Sequence, residues 1–144
     1  MIIRLVAEDD LVICGELYAA AFSTPPYREV WDPQSATSML AGLYYRDPED
    51  CWCIDDNGII AGIAFCTGYG TFRATIQEFA IAPEFQRRGL GTELMDYVLT
   101  QFRDKGVQTV DLVVNIDAPA LDLYKKFGFR HPDRYVLMAK WLQG

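Results

Sequence analysis

The spacing of apolar residues changes several times along the chain, and each change predicts an element. The opening run IIRLV (2–6) is short, apolar and β-branched, which predicts a strand. Over 7–22 acids come first and then Leu11, Cys14, Leu17, Tyr18 and Ala21 recur at helical spacing, so a helix is expected there. Two prolines break the pattern in STPPYREVWD (23–32) and predict a loop. A second helix follows over DPQSATSMLAGLYYR, with Asp32 as its N-cap and Pro33 in its first helical position.

The middle of the chain turns to strand. CWCIDD (51–56) and IIAGIAFCTGY (59–69) flank Asn57-Gly58, a pair that favours a tight hairpin turn. ATIQEFAIA (74–82) is a third strand, stopped by Pro83, so an antiparallel meander is expected. Beyond Gly91, Leu94, Met95, Val98, Leu99 and Phe102 form one apolar face of a helix that ends near Gly106. TVDLVVN (109–115) reads as a buried strand, and DAPALDLYKKFG (117–128) as a short helix capped by Asp117 and stopped by Gly128. RYVLMAKWL (134–142) reads as a last strand, with room for one more short strand at Phe129-Arg130. The unit of strand 74–82, helix 90–105 and strand 109–115 is a β-α-β crossover, which makes those two strands parallel neighbours. The fold class is therefore α+β. One domain over residues 1–144 carries a mixed sheet, antiparallel in its N-terminal part and parallel at the crossover, flanked by helices.

The junction between the third strand and its helix carries candidate chemistry. It reads APEFQRRGLGTEL, with Arg87 and Arg88 before Gly89-Leu90-Gly91. The first amides of a helix lack intrahelical partners, and the helix dipole favours negative charge there. Gly89 and Gly91 remove side chains that would hold an anion off those amides, and the arginines can add charge-assisted hydrogen bonds to phosphate oxygens. No Gly-Lys-Ser/Thr ending is present, which excludes a Walker loop. Leu94 stands where a dinucleotide fingerprint needs its third small residue, and Pro83 to Arg88 separate the strand from the glycines.

QRRGLG resembles the Gln/Arg-x-x-Gly-x-Gly/Ala signature of the GNAT family of acyl-CoA-dependent N-acyltransferases. EFAIAPEF before it looks like that family's central strand, and LVVNIDAPALDLYKKFGF downstream is similar to its second half. The element order agrees over most of the chain, and the motifs are specific over residues 76–130. The resemblance implies a GNAT-like fold in which the central strand splays from the next one to open a V-shaped slot. It implies acetyl-CoA or a related acyl-CoA as cosubstrate, with the pyrophosphate on the amides of Arg88, Gly89, Leu90, Gly91 and Thr92, beside Gln86 and Arg87. Phe79, Ala80 and Ile81 would bond the pantetheine arm, and Asn115 would contact the same arm. Lys125 or Lys126 could meet the adenosine end, or simply be solvated.

Acyl transfer from a thioester to an amine needs a neutral amine, a polarised carbonyl and a protonated leaving thiolate. Tyr124 matches the family's tyrosine that protonates the thiolate, in a position that core packing would also explain. Glu78 is the candidate base, because a carboxylate inside the apolar strand IQEFAIA is costly to bury without a purpose. Its bland alternative is a half-exposed strand acid or an ion pair with Arg73. In the resembling family the loop between the first two helices lines the acceptor site, which brings in Tyr27, Glu29 and Trp31 as substrate-binding candidates, together with Glu78. Trp31 is equally explained by packing, and His131 beside Pro132 reads as a surface residue.

Composition narrows the partners. The net charge of −7 argues against a nucleic-acid binder, which needs a basic footprint, and it favours a cationic acceptor only weakly. Cys14, Cys51, Cys53 and Cys66 form no Cys-x-x-Cys pair and the chain has a single histidine, so no metal is expected and reduced thiols in a cytoplasmic protein are. No apolar run reaches the roughly 20 residues of a membrane span, and the N-terminal run is too short for a signal peptide. The expectation is an N-acetyltransferase moving an acetyl group from acetyl-CoA to a primary amine of a small molecule or peptide by direct attack in a ternary complex. The alternative is a non-catalytic acyl-CoA-binding or sensing module on the same fold, and a nucleotide-binding regulatory domain is a third class. The acceptor and the oligomeric state stay open, although the resembling family commonly forms homodimers.

Overall fold

The computed structural model describes residues 1–27 and 29–143. Five strands form one sheet in the order β1-β2-β3-β4-β5: β1 Ile2–Leu5, β2 Cys51–Asp56, β3 Ile59–Tyr69, β4 Arg73–Ile81 and β5 Thr109–Leu112. The first three junctions are antiparallel and β4–β5 is parallel, as the crossover requires. Among the described residues four α-helices accompany it: α1 Leu11–Phe22, α2 Pro33–Arg46, α3 Leu90–Asp104 and α4 Ala120–Lys126.

The β2–β3 turn forms as expected. Asn57 and Gly58 take φ of 52° and 91°, the left-handed pair of a two-residue hairpin, and Gly58 N–H donates to Asp55 Oδ1 at 2.7 Å. Strand β3 is buried from Ile60 to Thr67, so it is the centre of the core rather than one face of it. Its Phe65 and Ile63 are sealed in, as are Leu94, Met95, Val98 and Phe102 of α3. With Leu99, which is also buried, those four are the apolar stripe expected from the sequence. Asp32 caps α2, accepting from Ser35 N at 2.8 Å and Ser35 Oγ at 2.7 Å.

Several boundaries differ from expectation. The first helix starts at Leu11, because Glu8–Asp10 form a separate 3-10 turn whose Asp10 pairs with Arg4 at 2.8 Å. Strand β5 ends at Leu112 rather than Asn115, and α4 spans only Ala120–Lys126. Asp117 does not cap α4; its own N–H is taken by Asn115 Oδ1 at 2.8 Å. The expected last strand over 134–142 is absent, as is any strand at Phe129-Arg130. A strand needs a neighbour to accept its hydrogen bonds. Within one chain this segment leaves Gly128 (φ 90°) and Pro132 without meeting one, and every described residue after Phe129 is exposed.

Candidate active site

Strand β4 has two unlike sides. Against β3 it is paired along its whole length, from Tyr69↔Arg73 to Gly62↔Ile81. The register shifts once, between Phe65↔Glu78 and Cys66↔Ile76, which leaves Gln77 as an extra residue. Gln77 Nε2 closes that bulge by donating to Thr67 Oγ1 at 3.0 Å. Against β5 the pairing covers only Arg73–Ile76, and Gln77–Ile81 run on without a partner strand. The expected splay is therefore present. Ala82 N–H donates to Ala61 at 2.8 Å, so by the two-residue alternation Ala80 also faces β3, while Phe79 and Ile81 turn their backbone groups to the open side. Ile81 uses its carbonyl there to accept from Gln86 Nε2 at 3.1 Å.

At the end of β4 a 3-10 turn, Pro83–Phe85, leads into the loop before α3. Arg87 and Gly89 both hold left-handed backbone, with φ of 65° and 79°. For Arg87 that conformation is uncommon, and such alternation gathers successive amides into an anion-binding concavity. Among the described residues no side chain caps α3, and the N–H groups of Leu90, Gly91 and Thr92 at its start have no intrahelical acceptor. Space is open above Gly89, where an added Cβ would meet nothing within 4 Å. At Gly91 the same Cβ would come within 3.3 Å of Leu123 and 3.8 Å of Ile81, so this glycine lets the helix start close against α4 and β4. Arg88 lies over the Phe85 ring at 5.1 Å, and among the described residues neither Arg87 nor Arg88 is held in an ion pair. This cradle suits a pyrophosphate: bare amides, room above them and two uncommitted guanidinium charges.

A cavity of about 370 Å³ fills the slot beside it. Glu78 and Tyr124 both line it, brought together from β4 and α4. Burial pushes the Glu78 carboxyl up to about 7, against a hydrogen bond from Tyr18 that holds it down, and Glu29 raises it further. Arg73 does not pair with it, since that guanidinium meets Asp111 at 3.7 Å and stacks on Tyr69. Tyr124 is only 7% exposed, and its ring stands edge-on to Phe79 at 6.1 Å and Phe129 at 6.0 Å. Burial pushes its phenol well above the ordinary tyrosine range, with Tyr27 and Glu78 adding to the effect, so it holds its proton at neutral pH.

Tyr27, Glu29 and Asn115 line the same cavity. Trp31 stands one layer back, edge-on to Tyr18 at 5.2 Å, and its Nε1 donates to Glu29 Oε1 at 3.0 Å. Lys125 and His131 instead border a separate groove behind α4, and Lys126 is exposed on the last turn of α4. Tyr18 and Phe22, whose rings lie 4.5 Å apart, wall the slot from α1 and are not singled out by the sequence pattern. Tyr18 was legible only as one position of an apolar helical stripe; its hydroxyl reaches Glu78 because α1 crosses the sheet there. Asp47, Glu49 and Asp50 also come within reach of one another, away from the slot. Two of these already have partners, since Asp50 binds Lys105 and Asp47 accepts from Gly68 N at 3.1 Å.

Residues 16–129 match the model of the acetyltransferase (GNAT) family. The chain belongs to the GNAT family. It is 34% identical over 113 residues to an uncharacterised ycf52-like N-acetyltransferase of Prochlorococcus marinus, covering 78% of this chain and 58% of that protein. It is 37% identical over 78 residues to the [ribosomal protein bS18]-alanine N-acetyltransferase of Haemophilus influenzae, covering 54% of this chain and 53% of that one. The chain thus spans about half the length of the curated relatives it matches. Among solved structures, Ard1 from Thermoplasma volcanium superposes with a TM-score of 0.74 at 27% identity, covering 90% of this chain and 82% of that one. The fold also matches PaiA N-acetyltransferase from Thermoplasma acidophilum, solved with coenzyme A, with a TM-score of 0.77 at 16% identity over 92% of this chain and 91% of that one.

Proposed function

We propose that this GNAT chain transfers an acetyl group from acetyl-CoA to a primary amine, by direct attack within a ternary complex. The observation that carries the proposal is the meeting of Glu78 and Tyr124 across one cavity, beside an uncapped helix N-terminus and a strand with free backbone groups. Acetyl-CoA, when bound, supplies an acyl thioester. The amides of Arg88 to Thr92, with Gln86 and Arg87 at the rim, would hold its pyrophosphate. The open backbone of Phe79 and Ile81 would hold the pantetheine arm, and Asn115 faces it across the slot.

The residues then divide the proton transfers. Glu78, poised near neutrality, takes a proton from the amine as its nitrogen bonds to the acyl carbon. Tyr124 gives its phenol proton to the sulfur as the carbon–sulfur bond breaks. One proton leaves the amine and one reaches the thiolate, so the charges balance. Tyr18 stands with Glu78 in the wall of the slot. The acceptor mouth is aromatic and acidic, with Tyr18, Phe22, Tyr27 and Glu29 around Glu78, which fits a cationic amine on a small molecule or a peptide N-terminus. The bS18-alanine N-acetyltransferase of Haemophilus influenzae supports an amine acceptor. No described helix is long and apolar enough to cross a membrane, and the four buried, unpaired cysteines suit the reducing cytoplasm.

The test is an acetyl-CoA turnover screen over polyamines, amino acids, aminoglycosides and alanine-starting peptides, read as free thiol release. Amine-dependent release that Tyr124→Phe suppresses supports the proposal. Tight CoA binding without release on any amine would instead favour a sensing module.

A further inference from the structure

The slot carries a second carboxylate, and aromatic packing fixes where it stands. Among the described residues that line the cavity, Glu29 and Glu78 are the only charged side chains, and both are acids. Glu29 belongs to the loop between α1 and α2, yet it is anchored: Trp31 Nε1 donates to its Oε1 at 3.0 Å. Trp31 is set edge-on against Tyr18, which is buried. Tyr18 packs on Phe22, and Phe22 meets Tyr27 edge-on at 4.6 Å. Four rings thus form a continuous chain that ends on the carboxylate it holds. Aromatic faces attract cations, and a carboxylate beside them adds a full charge. Glu29 is also close enough to Glu78 for its charge to raise that carboxyl. Two acids in one cavity repel each other, and a cation between them relieves the repulsion.

We propose that Glu29 determines acceptor specificity, and that the acceptor is an aliphatic diamine or polyamine whose second, non-reacting ammonium pairs with Glu29. The inference rests on the acetyl-transfer reading of the same slot and narrows its acceptor. The reacting nitrogen gives up its proton to Glu78, while the second nitrogen keeps its own and stays charged beside Glu29. The walls favour such a molecule over a peptide. A peptide brings amide groups that need partners when they leave water, and the two side-chain amides of the slot are already engaged. Gln77 Nε2 donates to Thr67, and Asn115 Oδ1 accepts from Asp117 N–H at 2.8 Å. What the cavity offers instead is apolar and aromatic wall for a methylene stem and two acids for two positive charges.

The experiment compares 1,4-diaminobutane with butylamine on the full chain and on Glu29→Gln, which keeps a carbonyl for the Trp31 N–H and removes the charge. Both amines carry the same reacting group on the same stem, so the ratio of their kcat/KM values isolates the second charge. Read as thiol release from acetyl-CoA, and corrected for its two reactive ends, the diamine is expected to be favoured about tenfold, the scale of a partly exposed ion pair beside aromatic faces. In Glu29→Gln the ratio should fall to near one. Added salt should shrink the wild-type ratio and leave that of the variant in place. Calorimetric titration of both amines in the presence of CoA needs no turnover and should show the same Glu29-dependent preference. Equal kcat/KM for the two amines, or a preference that survives Glu29→Gln, would overturn the role of Glu29 and leave acetyl transfer standing. Glu29-dependent diamine binding with no thiol release from either amine would uphold the cation site and overturn the transfer reading instead. No release and no preferential binding would overturn both.

Discussion

Strand β4 meets β3 on one side and β5 on the other, and the two sides differ in how much backbone they satisfy. Toward β3 each residue from Arg73 to Ile81 has a partner except Gln77 at the bulge. Toward β5 pairing stops at Ile76. The first side is sealed by Phe65, Ile63 and the α3 stripe, and it contributes stability. The second leaves backbone groups, a carboxyl and a phenol at a cavity, and it is the side to which we assign the chemistry. One strand can do both because its closed side fixes the geometry that its open side presents. The single-residue bulge lies at the change-over, next to Glu78.

The contrast can be broken from either side. The largest effect is expected from the closed side: Phe65→Ala leaves a cavity in a fully packed site and should cost about 3–5 kcal/mol in denaturant unfolding. On the open side Tyr124→Phe should lower kcat by about a hundredfold, at the lower end of general-acid effects, while CoA affinity and unfolding midpoint stay near the wild type. Glu78→Gln should cut kcat/KM by tens-fold or more and flatten its pH profile. In the wild type, activity should rise as pH passes through about 7 and Glu78 loses its proton.

The same group gives a stability test with a definite sign. Its folded value of about 7 lies above its ordinary 4.5, so the protonated acid favours the fold; that contribution is full below 4.5 and lost as pH rises through 7. Glu78→Gln should therefore unfold with less pH dependence across that window. The smallest effect concerns the loop: Arg87→Ala with Arg88→Ala should weaken CoA several-fold, about 1 kcal/mol for exposed charges, and leave a pantetheine fragment without pyrophosphate unaffected. Equal weakening of both ligands would remove the arginines from the phosphate site.

Much of this architecture was legible as pattern. Asn57-Gly58 dictates its hairpin locally, Asp32-Pro33 dictates its helix start, and the Leu94 to Phe102 stripe announces a buried face. The uncapped start of α3 was legible for the same reason, because the glycines and the helix start lie in consecutive residues. Tyr18 was not, since nothing in an apolar helical stripe says which member crosses a strand carrying a carboxylate. Neither was the end of β5 at Leu112, which depends on where two strands diverge. The segment 134–142 shows the converse limit: a short apolar run with aromatic residues marks a strand former, but a strand exists only where another backbone receives it.

The central claim, that the open side of β4 and the start of α3 receive the acyl-CoA, is tested most directly by amide hydrogen exchange with and without CoA. Exchange is expected to slow at Phe79 and Ile81 and at Leu90, Gly91 and Thr92, with β2 and the β3 core unchanged. Protection confined to other elements, or none at those five amides under saturating CoA, would contradict it.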